Sequence, residues 1–429
     1  MRTRSYVALL VLAAILGVPI SAAAFWFLKL VDSLQKWIFT DLPAALGFQA
    51  EPTWWPLPML VAGGLLVALI IRFLPGQGGH SPAEGFKAHG AAPARELPGI
   101  LLAALATLGF GAVLGPEAPL IALGGGLAVW AVSLIRRDMP ERATAVVGAA
   151  GSFAAVSTLL GSPILGAFLL MEASGLGGPT LAVVMLPGLL AAGIGALVFV
   201  GLDNWTGFGT FSLAIPDLPS YGQPRVSEFG WAIVIGVAAV LVGSAIRRLA
   251  LFLQPYIERH RMLLTPVTGA VIAGLAILYA ETTGKKSAEV LFSGQTALGP
   301  LITGGAAYSV GALLLLILCK SLAYSTSLSS FRGGPIFPAM FLGAAGGIAL
   351  SHLPGLSLVA GVAMGMGAMC TVMLSLPMTA VLLATLLLFA DGLAVMPLVI
   401  VAVVVAYVVS TRLSPTGGAG GRSRRAGSG

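Results

Sequence analysis

Apolar residues fall in long blocks that recur from one end of the chain to the other, at about 5–30, 57–74, 98–114, 117–135, 143–173, 179–202, 229–253, 265–280, 302–324, 335–352, 356–374 and 376–411. A block of about 20 such residues crosses a bilayer as a helix, and a shorter one suits a re-entrant segment. Glycine or proline interrupts several blocks, so the pattern predicts broken helices beside simple spans.

Composition turns this pattern into a class. The 429 residues are 57% hydrophobic and 9% charged, with a mean hydropathy of +0.98, against about 25% charged residues in soluble domains. A polytopic integral membrane protein of the cell membrane follows. Residues 1–24 have the outline of a secretory signal, but the apolar character continues through Phe25, Trp26 and Phe27, so the first helix is expected to stay uncleaved. The net charge of +7 sits mainly at the ends and in short connections, such as Arg136-Arg137, Arg247-Arg248 and Lys285-Lys286. The positive-inside rule then puts both termini in the cytoplasm. No basic stripe with interleaved aromatics is present, which argues against nucleic acid as a partner. Cys319, Cys370 and four isolated histidines make neither a disulfide framework nor a metal site, and no cofactor is expected. The Gly/Ser/Arg-rich tail, 413–429, is expected to be disordered, with no soluble regulatory domain after the membrane domain of residues 1–412.

Two halves carry the same punctuation. Gly115-Pro116-Glu117-Ala118-Pro119 leads into a block containing Gly124-Gly125-Gly126, and Pro163 opens a later one; Gly333-Gly334-Pro335-Ile336-Phe337-Pro338 leads into a block with Gly343, Gly346 and Gly347, followed by Pro377. From Pro119 to Pro338 the offset is 219 residues, and from Pro163 to Pro377 it is 214. Gly/Pro-interrupted segments at matching places mark an internal repeat, with a substrate site between the halves. The expected fold is therefore all-α, with two inverted-topology repeats, about 60–202 and about 229–411, containing broken and re-entrant helices.

A helix that begins inside a membrane offers unpaired backbone N–H groups and the positive end of its dipole, and so attracts anions. Proline fits the first turn of such a helix, and glycine lets the preceding backbone approach an ion. Three loops have this composition: Gly76 to Pro82, the Glu117 loop, and Gly333 to Pro338. Together they would bind a small anion without any fixed cation. Glu117 stands out because an ionised side chain within a membrane helix costs roughly 2.5–3.5 kcal/mol on insertion scales. Either it caps its own helix or, as a tethered competitor for the anion site, it acts as a gate that withdraws on protonation.

At these residues the chain resembles the CLC family of chloride channels and proton-coupled chloride exchangers, of the prokaryotic type, over roughly 60–410. That family carries a Gly-Ser-Gly-Ile-Pro loop, a Gly-Lys/Arg-Glu-Gly-Pro loop whose glutamate gates, and a Gly-x-Phe-x-Pro loop. The resemblance implies a glutamate-gated passage for chloride or a similar anion, with Glu117 as the gate, and a homodimer with one pore in each subunit. It implies anion contacts at Gly79, His80 and Ser81 in the first loop and at the amides of Ile336 and Phe337 in the third, since Pro335 has no N–H. The faces near 165–200 and 376–411 would join the subunits.

Two departures bear on mechanism. The tyrosine that completes the anion site in many relatives would fall in Ser414 to Gly418, and Tyr407 lies too early to replace it. Proton-coupled relatives carry a second acid where this chain has Ala173, directly after Glu172. A passive channel is slightly favoured; a proton-coupled exchanger using Glu172 as relay is the alternative, and an inverted-repeat transporter of another solute a more distant one. An enzyme is not expected, because the adjacent His80 and Ser81 are poorly placed to act as base and nucleophile.

Overall fold

A computed structural model describes residues 3–86, 91–135, 141–174, 179–207, 221–388 and 392–413. Of the tail expected to be disordered, Leu413 instead ends a helix, and 414–429, including the Ser414 to Gly418 stretch, lie outside these residues. The first half contains α1 (Thr3–Lys36), α2 (Leu42–Ala45), α3 (Pro56–Phe73), α4 (Leu97–Gly109), α5 (Glu117–Ile135), α6 (Glu141–Leu160), α7 (Pro163–Ser174) and α8 (Pro179–Thr206). The second contains α9 (Val226–Arg259), α10 (Arg261–Thr283), α11 (Gln295–Thr303), α12 (Val310–Ser330), α13 (Ile336–Ser351), α14 (Leu358–Leu374), α15 (Pro377–Leu387) and α16 (Gly392–Leu413). Among the described residues there is no sheet, and nine helical stretches are long and apolar enough to cross a membrane. The fold is all-α and polytopic.

Five apolar helices, α4, α7, α13, α14 and α15, are 11 to 17 residues long. At 1.5 Å per residue they reach about 17–26 Å, less than the roughly 30 Å of a hydrocarbon core. These are the broken helices that the glycine and proline interruptions predict. Where one apolar block hides two helices, the break is local. Block 143–173 divides at Gly161-Ser162, with Gly161 at φ 62° and the Ser162 hydroxyl accepting from the Leu165 N–H at 3.3 Å. Block 302–324 is corrected outright: its first residues finish α11, and Ser309 caps a new start by accepting from the Ala312 N–H at 3.2 Å.

Packing in both halves rests on glycine. A Cβ on Gly124 would meet the Gly151 carbonyl and the converse holds, so α5 and α6 touch backbone to backbone. In the second half Gly343 and Gly365, and again Gly347 and Gly361, bring α13 and α14 equally close. Association within a bilayer lacks a hydrophobic drive between helices, so small residues that permit such approach supply the dispersion contacts instead. Lys320 is fully buried on α12, and its Nζ donates to the carbonyls of Glu289, Val290, Leu291 and Phe292 at 3.0–3.4 Å. It also lies 4.3 Å from the centre of the Phe341 ring. The ammonium thus collects the carbonyls of residues 289–292, at and just after the short turn Ser287–Glu289, and ties this segment to α12 and α13.

Because Lys320→Met leaves those carbonyls without donors, and each buried unsatisfied group costs about 1–3 kcal/mol, this variant should unfold in detergent well below the wild-type temperature. Leu314→Ala, on an outward-facing position of the same helix, is the control and should unfold within a few degrees of wild type.

Candidate functional site

The two glycine-rich loops that open α5 and α13 meet head to head. Gly115 N–H donates to the Gly334 carbonyl at 2.7 Å and Gly334 N–H to the Gly115 carbonyl at 2.6 Å, the one β-type pairing among the described residues. Hydroxyls from the preceding helices reinforce this exchange. Thr107, near the end of α4, accepts from the Arg332 N–H at 3.1 Å, and Ser327, near the end of α12, accepts from the Val113 N–H at 3.0 Å. Thr107 and Ser327 are 220 residues apart, and Val113 and Arg332 are 219 apart, so the sequence offset reappears as matched contacts.

Glu117 is the first residue of α5 and is fully buried. Its Oε1 accepts from the Phe337 N–H at 3.0 Å, and the Ile336 amide also faces the carboxylate. No side chain caps α13, so these first-turn amides are free for that acceptor. Among the described residues Oε2 has no hydrogen-bond partner. Both pairing glycines are needed for space: a Cβ on Gly334 or on Gly115 would overlap the Glu117 carboxylate. Pro119 and Pro338 occupy the third position of their helices, where a missing N–H costs nothing.

A cavity of about 620 Å³ adjoins this point. Its lining includes Gly76 to His80, Pro82, Glu96, Ile100, Ala118, Pro119, Arg332, Gly333 and Pro335, so it runs from the first loop to the turn just past Glu117. The expectation of a helix start in the first loop is corrected. Only a three-residue 3-10 turn, Pro82–Glu84, follows it, too short to carry a useful dipole. The loop is a tight coil with positive φ at Gly76, Gln77, Gly78 and Gly79, and the Gly79 N–H is spent on the Gly76 carbonyl at 2.8 Å. His80 and Gly79 line the cavity, His80 lies 3.3 Å from Glu84, and the Ser81 hydroxyl is buried without a partner among the described residues.

Glu172 lies apart, at the end of α7. Its Oε1 accepts from the Met378 N–H at 3.0 Å, and its Oε2 from the Thr379 N–H at 2.8 Å and the Thr379 hydroxyl at 2.7 Å. The carboxylate thus caps α15 from the opposite half. Tyr407 is 41% exposed on α16 and faces outward. Two residues went unremarked in the sequence. Tyr324 is fully buried on α12 and donates to the Pro335 carbonyl at 2.8 Å, within electrostatic reach of Glu117. Arg332, whose side chain lines the cavity, reads in the sequence as one more charge in a connection.

The family model described as voltage gated chloride channel matches residues 63–411. Curated relatives include the Salmonella schwarzengrund (strain CVM19633) protein named "Putative ion-transport protein YfeO", 28% identical over 357 residues, covering 81% of this chain and 82% of that one. Its counterpart in Escherichia coli O7:K1 (strain IAI39 / ExPEC) is 26% identical over 361 residues, covering 82% and 81%. Among solved structures, a slow cyanobacterial Cl-/H+ antiporter superposes with a TM-score of 0.75 at 19% identity, covering 94% of both chains. A CLC-type fluoride/proton antiporter gives 0.73 at 19% identity, covering 96% of this chain and 97% of the other.

The crowding at Gly334 is measurable by a double-mutant cycle. Gly334→Ala should cost about 1–3 kcal/mol, as overpacking does, and should cost clearly less in a Glu117→Ala background. Equal losses in both backgrounds would show that the carboxylate does not occupy that space.

Proposed function

The chain belongs to the voltage gated chloride channel family, as a multi-pass membrane transporter of chloride-like anions, and we propose that Glu117 gates its anion passage as a tethered competitor. The observation that carries this reading is the Phe337 amide, 3.0 Å from a fully buried carboxylate oxygen. A first-turn amide cannot serve that oxygen and a passing anion at once. An anion held there by Ile336 and Phe337 therefore requires Glu117 to leave, and protonation, which removes the charge that draws it to the amides, favours leaving. In this reading Glu117 does more than cap α5, because besides its own amide the carboxylate is served by Phe337 and Ile336 of another helix.

Gly79, His80 and Ser81 serve as the approach, through the cavity they help to form or adjoin, rather than through a helix dipole. Passive conduction is favoured over proton exchange. Glu172, the candidate relay, has both oxygens committed to the start of α15, and Ala173 offers no acid. The protein works as a homodimer joined through α7, α8, α15 and α16, whose outward side chains include Ile164, Leu197, Met378 and Leu393. Both termini face the cytoplasm, the side favoured by Arg2, Arg4 and the arginines of the tail.

Chloride efflux from liposomes with simultaneous pH recording tests the whole reading. Expected are chloride flux that rises as pH falls and no stoichiometric proton movement. Glu117→Gln should raise flux at neutral pH on the order of tenfold, equivalent to removing about 1.4 kcal/mol of competition, and should flatten the pH profile. A retained pH profile in that variant would reduce Glu117 to a helix cap. Protons moving in fixed ratio to chloride would replace the channel with an exchanger, and no halide flux at all would defeat the transport assignment.

A further inference from the structure

A fixed cation stands beside the site where the sequence leads one to expect only backbone dipoles. Arg332 immediately precedes the Gly333-Gly334 turn and is 6% exposed, yet its side chain lines the cavity that reaches Ala118 and Pro119. Its Nη1 donates to the Phe331 carbonyl at 3.2 Å and its Nε lies 3.4 Å from the Gln77 carbonyl. No ion pair among the described residues includes it. A guanidinium has five N–H donors, and among the described residues two carbonyls, those of Gln77 and Phe331, accept from this one. Glu96, the carboxylate in the cavity lining, is 3.9 Å from Arg95 instead.

The Glu84 and Glu258 carboxylates act on it from a distance and Arg261 opposes them, and keeping a cation so nearly sealed from water without a contact ion pair is costly unless an anion visits it. The loop opposite is shaped around it: Gly78, at φ 70°, has no side chain, and a Cβ there would press on the Arg332 Cγ. A second, independent polar group is also left open. The Ser81 hydroxyl, 8% exposed, has no partner among the described residues, and its neighbours His80 and Pro82 line the same cavity.

Resting on the anion-transport reading, we propose that Arg332 is a specificity-determining residue that holds a small monovalent anion in this cavity, one step before the amides occupied by Glu117. The guanidinium supplies the charge and the outward N–H groups, and the loop supplies the wall. The bound anion lies next to the gate, ready to replace the Glu117 carboxylate when it leaves, and cations are kept out by the same charge. Arg332 therefore raises occupancy, while Glu117 controls passage.

Bromide is the probe. Crystals of the full chain grown in bromide should show anomalous density against the Arg332 guanidinium, and its absence there overturns the proposal without need of any variant. In calorimetric titration of the detergent-purified protein, Arg332→Gln should weaken bromide binding on the order of tenfold and Arg332→Lys should restore most of it. Unchanged affinity in folded Arg332→Gln also overturns it. Liposomes separate this failure from that of the transport reading. Bromide bound at Arg332 by a protein that moves no halide would sink transport and leave the site standing. Halide flux with wild-type binding in Arg332→Gln would sink the site and leave transport standing.

Discussion

The reciprocal hydrogen bonds between Gly115 and Gly334 set the geometry on which the rest of the centre depends. They fix two helix starts at one point and bring a loop inside one half against the matching loop of the other. Thr107 and Ser327 then take up the neighbouring amides of Arg332 and Val113. The amides left in the second loop, those of Ile336 and Phe337, point at Glu117. Buried backbone N–H groups are nearly always paired, and here the Glu117 carboxylate is the acceptor that pairs them. The site is in this sense a place for an acceptor, left where the amides of Gly115, Gly334, Val113 and Arg332 have found other partners.

Much of this was legible from the sequence because it is imposed on the backbone. Glycine and proline around Glu117 and around Ile336 are dictated by close approach and by the first helical turn, so the 219-residue offset survives as punctuation. Hydropathy located most of the helices for a similar reason, since length and polarity are what a bilayer selects. It failed at 302–324, where one apolar block contains both the end of α11 and the start of α12, and only the Ser309 cap marks the division.

Other features depend on the fold and leave little trace in the chain. Thr107 and Ser327 each donate to a carbonyl four residues back, at 2.8 Å, the ordinary behaviour of a hydroxyl in a membrane helix. That the same oxygens also accept from amides more than 200 residues away is decided by how the halves meet. Glu172 could be read as a free acid until α15 arrived to use it. Lys320 and Arg332 look alike as isolated charges at the edges of apolar blocks, yet one is saturated by carbonyls and the other faces a cavity. The difference lies in which turn of backbone comes to rest opposite each of them.

The glycine contacts between α13 and α14, and between α5 and α6, have a consequence for time. Helices packed carbonyl to Cα at Gly343–Gly365 and Gly124–Gly151 have no compressible layer of side chains between them, so sliding one past the other demands separation first. Collective movements of that kind belong to microseconds and milliseconds, whereas rotation of a single side chain belongs to nanoseconds or less when unhindered. With the walls locked, the inexpensive motion at the centre is rotation of Glu117 about its own bonds. In the gating proposed for Glu117, the clock of this protein is then set by how quickly one carboxylate is released from two amides, not by rearrangement of the fold.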